Sequence, residues 1–220
     1  MAETAAPPPA VSAAEEEAVF YHEAGLNATW TGVRLAVGAL SFLFGAFIFA
    51  FFYLRSLNSW HLWYTAQTHA PAGLGTAIML LVVVSAIVQT LGLQRIKAGR
   101  KGVWQIAALS ALVLGLAAVA LQIYELASLS FWPGASGFAS VFTGFSPVFA
   151  VIAFCALVWL ETLIMRARQI PEISFVEQPP TYAEAFAVQR FQAALSAFTV
   201  TWNYLADVAV VAWILFYLVH

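Results

Sequence analysis

The run VWQIAALSALVLGLAAVALQIYEL, residues 103–126, holds a single charged side chain, Glu125, in 24 positions. As an α-helix it would rise about 36 Å, more than the roughly 30 Å of hydrocarbon in a bilayer. Four more stretches have the same character: residues 35–54, 72–93, 138–160 and 193–219. Across all 220 residues, 62% are hydrophobic and 9% charged, where a soluble domain carries charge at about 25% of positions. The mean hydropathy is +0.84. These features predict an all-α integral membrane protein, with five transmembrane helices in a bundle. Strands that cross a bilayer need only about ten residues, and open backbone is not tolerated in lipid, so the pattern argues against a β-barrel.

Basic residues set the expected orientation. Arg34 precedes the first span; Arg95, Lys97, Arg100 and Lys101 separate the second from the third; Arg166, Arg168 and Arg190 separate the fourth from the fifth. Arg55 alone lies on the opposite side. The positive-inside rule therefore places the amino terminus in the cytoplasm and the carboxyl terminus outside. Residues 1–33, rich in Ala, Pro and Glu at their start, read as a disordered or interfacial cytoplasmic segment. Residues 34–220 read as one five-helix domain. In the longest connection, Pro171, Pro179 and Pro180 interrupt helix, and Thr181 followed by Glu184 suggests an N-cap from which a short surface helix resumes near Tyr182. No basic cluster resembles a nucleic-acid footprint, so nucleic acid is excluded as a partner.

The expected roles of several side chains follow from depth. Trp30, Trp60, Trp63, Tyr64, Trp104, Trp132 and Trp159 fall near span ends, as an aromatic belt does. Cys155 reads as a small buried apolar residue of the fourth span. Ala107, Ala111 and Gly115 place small residues four apart on the third span, which invites close approach of another helix. No catalytic centre is visible: His22, His61, His69 and His220 all lie outside the spans, so none is placed to ligate a membrane haem. His61 and His69 are spaced as a surface metal pair could be, but no cysteine or carboxylate completes a set, and they read as solvated loop residues.

Two polar sites lie within the spans. Gln122 and Glu125, three residues apart, share one face near the outer end of the third helix. Asp207 stands mid-way along the fifth, where a carboxylate costs roughly 2.5 to 3.5 kcal/mol on insertion scales and cannot reach water along its own helix. Its partner is expected on a neighbouring helix or another subunit. A proton relay would need further ionisable groups at that depth, which the other spans lack.

Three segments then form a pattern: Gln122-Ile123-Tyr124-Glu125, Phe142-Thr143-Gly144-Phe145, and Thr201-Trp202-Asn203-Tyr204-Leu205-Ala206-Asp207-Val208. In this order and on spans three, four and five, they resemble subunit III of the haem-copper oxidases, in its short five-helix bacterial form. The stretch from Gly45 to Arg55 resembles the family's helix before the first outer loop. The chain departs from the family at Ser146-Pro147, Phe149 and Asn203, where histidines or His-Gly stand, and lacks the acid expected early on span one. By this resemblance it is a divergent member, or belongs to a related branch serving a different oxidase.

The resemblance implies an accessory, non-redox subunit of a respiratory terminal oxidase, with cytochrome c oxidase as the leading case. Such a subunit stabilises subunit I and supports proton uptake during turnover. It implies subunits I and II as partners, with haem and copper held there and none bound by this chain, phospholipid as a compatible ligand, and a bacterial plasma membrane location. Gln122, Glu125, Trp202, Asn203 and Asp207 become intramembrane anchors or lipid and subunit contacts. Thr143 and Gly144 join Ala107, Ala111 and Gly115 as packing positions. Rival readings are a subunit III-like component of a quinol oxidase or nitric oxide reductase, and, in another class, a small-solute transporter or channel with Asp207 lining its pore.

Overall fold

The computed structural model of the chain describes residues 13–58, 63, 68, 70–175 and 182–219. Its principal elements are helices α1 (Ala13–Ser56), α2 (Ala72–Lys97), α3 (Lys101–Ala127), α4 (Gly137–Gln169) and α5 (Tyr182–Trp213). A 3-10 turn, Glu172–Phe175, follows α4, and α5 runs into a π-helical turn, Ile214–Leu218. No strand occurs among the described residues. All five long helices have the length and apolar composition to cross a membrane, with mean hydropathy of 2.4 in the best windows of α1, α3 and α4 and 1.4 in that of α5. Their outward surfaces carry Leu35, Phe42, Phe49, Ile87, Ile106 and Val113 in exposed positions. Lipid tolerates such a surface; water does not.

Two boundaries differ from the sequence reading. Residues 13–33, expected to be disordered or interfacial, are helical and continuous with the first span. Here Val33 packs inward and His22 Nε2 lies 2.7 Å from Gln189 Oε1 of α5, contacts that hydropathy alone does not register. The helix resuming near Tyr182 is not a separate surface element either, since it runs unbroken to Trp213. Val188 and Phe191 bury an apolar stripe ahead of the more apolar part of the helix, so nothing ends it between them. Thr181, the expected cap, lies outside the described residues, as do His61, His69 and His220.

Helix α2 packs along α3 through a tight turn. The N–H of Gly99 donates to Ile96 O and that of Arg100 to Arg95 O, both at 2.9 Å, and Gly99 has φ 77°. This is a Schellman ending, in which the left-handed residue is the one place a side chain would be strained. From there α3 contacts α4, α4 contacts α1, and α5 contacts α1, α2 and α4. Half of α5's most apolar window is buried, against 11% for α1, so α5 is the central helix and α1 the peripheral one.

Close approaches explain the small residues. A Cβ added to Gly92 would meet Ala107 Cβ at 2.9 Å, so Ala107 holds α3 against α2. One added to Gly115 would meet Leu157 Cδ2 at 2.5 Å and Trp202 Cζ2 at 3.2 Å, so α4 and α5 both close on this point of α3. Gly144 faces Phe47 of α1 in the same way, at 3.2 Å. The tryptophans are less uniform than a belt. Trp104 is fully buried with its ring edge-on to Phe191, and Trp63 is buried edge-on to Phe51, whereas Trp132 is 82% exposed. Cys155, expected to be buried, is exposed and lines a groove that α4 shares with α1 and α5.

Gly115→Val should therefore lower stability by about 1–3 kcal/mol through overpacking. Thermal unfolding of the purified protein followed by tryptophan fluorescence checks this, with Gly102→Val, which meets nothing within 4 Å, as the comparison expected to be far milder.

Candidate functional site: polar contacts inside the bundle

Inside an apolar bundle each polar side chain needs a partner in protein or in ordered water. Here the partners form a ladder between α2 and α5. Trp213 Nε1 donates to Thr76 Oγ1 (2.9 Å), Trp202 Nε1 to Ser85 Oγ (3.0 Å), and Gln89 Nε2 to Thr199 Oγ1 (3.4 Å). The Thr90 hydroxyl, with a single proton to give, lies within donating distance of Ala86 O of its own helix (2.9 Å) and of Asn203 Oδ1 (3.1 Å). As the α2 number rises from 76 to 89, the α5 number falls from 213 to 199, as antiparallel neighbours require.

Ser85 is the junction of three helices. Its hydroxyl donates to Ala111 O of α3 at 2.7 Å while accepting from the Trp202 indole. Trp202 is wholly buried, stacked on Phe198 and lying over Gly115. The predicted anchor Trp202 and the predicted packing residues Ala111 and Gly115 are thus brought to one place. Thr143 is not part of it. Its hydroxyl turns back to Ala139 O of its own helix, 2.6 Å away, so it ties α4 to no other helix.

The second polar contact joins α3 to α5. Glu125 is 2% exposed, and Tyr217 donates its hydroxyl to Glu125 Oε1 at 2.6 Å. Two features bring Tyr217 there. The π turn at Ile214–Leu218, closed by Val219 N–H to Ile214 O at 3.0 Å, rotates the last residues of α5 relative to an α-helical register. Gly75 makes room, for the Tyr217 ring occupies the place a Cβ at that position would take. Gln122 is buried one turn before Glu125, on the same face.

Asp207 is different. It is exposed, and it has no hydrogen-bond or ion-pair partner among the described residues. Of the two places where its partner is expected, a neighbouring helix and another subunit, the described residues of the neighbouring helices supply none. Asp207 lies on an outward strip of α5 with Val200, Val211 and Ile214, spaced by three, four or seven residues and each 39–45% exposed. Since α1 and α2 pack on the two sides of α5, this strip is left between them. On the α2 side it borders a groove of about 460 Å³ lined by Ile87, Thr90, Leu91, Asn203 and Asp207. Asn203, predicted beside Asp207, is half-buried and held by Thr90 at the edge of this groove.

Sequence reasoning missed Ser85, Gln89, Thr90, Thr199 and Tyr217. A usable signal existed. Ser85 and Gln89 are four apart on span two, Thr199, Trp202 and Asn203 are three or four apart on span five, and each set makes one polar helical face. Pairing the two faces needed knowledge of which helices are neighbours. The chain matches no protein-family model and no curated protein.

Tyr217→Phe should destabilise the protein by about 1–3 kcal/mol, because it leaves a buried carboxyl short of a donor. Adding Glu125→Leu should restore much of that loss, since removing both partners also removes the unsatisfied group. A double-mutant cycle of thermal midpoints reads this coupling. Additive losses would mean that the two side chains do not depend on each other.

Proposed function

We propose that the chain is an accessory, non-redox subunit of a respiratory haem-copper terminal oxidase, of the subunit III type. In this reading it crosses a bacterial plasma membrane five times, with the amino terminus in the cytoplasm and the carboxyl terminus outside. It binds no haem or copper, which belong to subunits I and II, and it serves to stabilise subunit I and sustain proton uptake.

The observation that carries the reading is Asp207. At mid-span it is exposed on the bundle surface without a partner among the described residues. Left in lipid it would cost roughly 2.5 to 3.5 kcal/mol, which favours a second membrane polypeptide over this face. That argument supports membership of a complex. The kind of complex rests on the three ordered motifs that resemble subunit III. A channel reading draws less support, because Asp207 borders two grooves, one against α1 and one against α2, and no basic side chain or second carboxylate lines either among the described residues.

Tagged protein drawn from native membranes in mild detergent should bring haem-bearing polypeptides with it, seen by absorbance. Asp207→Leu should lower that recovery severalfold while leaving the thermal midpoint of the isolated chain within a few degrees, since Asp207 has no partner among the described residues. Recovery of the chain without any haem protein would refute the oxidase assignment. Full recovery with Asp207→Leu would refute the role given to the carboxylate.

A further inference from the structure

Where α2, α3, α4 and α5 converge, near the Glu125–Tyr217 contact, there is a cavity of about 40 Å³. Most of its wall is apolar and aromatic, from residues such as Ile78, Phe149 and Phe216. Three side chains break that pattern: Gln122, Glu125 and Ser146, which expose only 6%, 2% and 2% of their surface. Tyr217 uses one oxygen of the Glu125 carboxyl. The other oxygen, the Gln122 amide and the Ser146 hydroxyl have no hydrogen-bond partner among the described residues, although all three residues line the same space.

Polar groups so deeply buried are satisfied in folded proteins, by protein or by ordered water. Direct pairing within the chain does not supply these. A water site needs about 10–15 Å³ and two to four polar partners, and this cavity meets both conditions with room for about one to three molecules. We propose that the cavity is an internal water site, in which water bridges Gln122 and Glu125 of α3 to Ser146 of α4. Tyr217 ties α3 to α5 at this point, and the water ties α3 to α4. The site would lie at the end of the bundle where the π turn closes α5. Besides Glu125 and Tyr217, no ionisable side chain lines it among the described residues, so the ligand is matched by hydrogen-bonding capacity and not by charge pairing. Ser146 carries the bridge on α4, and the sequence reading had noted it only as a departure from the family pattern.

This inference does not rest on the oxidase reading and can fail or hold without it. The test uses the full chain, purified in detergent or within its native complex, and has two arms. In an experimental density map fine enough to show ordered solvent, at least one peak is expected within hydrogen-bonding distance of both Ser146 Oγ and the Gln122 amide. In thermal unfolding, Ser146→Val, which fills the space, should lower the midpoint by several degrees and by more than Ser146→Ala, which leaves room for water.

A dry void gives the opposite sign, with Ser146→Val neutral or stabilising, and would overturn the proposal. So would Gln122 bonded directly to Glu125 or Ser146 without a solvent peak, or a peak with the short, multiple oxygen contacts of a metal cation. If Ser146→Val fails to fold, the density map and Ser146→Ala still decide.

Discussion

The polar side chains between α2 and α5 pair with one another, and the structure depends on how they are shared between these two helices. Ser85 is where this constraint acts most sharply. One hydroxyl donates to the Ala111 carbonyl of α3 and accepts from the Trp202 indole of α5, fixing three helices at a single depth. Hydrophobic burial cannot set that register, because lipid tails are as apolar as leucine and offer no preference for one rotation of a helix over another. Van der Waals fit and hydrogen bonds must do it. Gly115 lets Trp202 lie close, the indole reaches Ser85, and the Thr76–Trp213 and Gln89–Thr199 bonds extend the same register toward both ends.

The same reasoning separates what the sequence displays from what it conceals. The number of long apolar helices was legible, since hydropathy is summed over twenty or more residues and single exceptions do not disturb it. The small residues on span three were legible as packing points, and Ala107, Ala111 and Gly115 each meet another helix. Cys155 and Trp104 were misread because composition gives depth in the membrane but not rotation about the helix axis. One is exposed in a groove beside α1 and the other is sealed against Phe191. Tyr217 was invisible for a related reason. Its position depends on a π turn and on the missing side chain of Gly75, a residue more than a hundred positions away in sequence.

Glu125 and Asp207 are both carboxylates within the spans, and the fold treats them in opposite ways. Glu125 is enclosed and receives the Tyr217 hydroxyl, so it belongs to the chain's own architecture. Asp207 is presented at the surface, flanked by Val200 and Val211 and close to an amide held in place by Thr90. An exposed carboxylate at that depth is the kind of residue a membrane protein retains when another chain supplies its partner.

The most direct measurement is photo-crosslinking in native membranes, with a photoreactive amino acid at Val211 or Val200 on either side of Asp207. The account predicts a covalent adduct to a second polypeptide from both positions, and a weaker one when Asp207 is also changed to leucine. Adducts to lipid alone, from both positions, would contradict it.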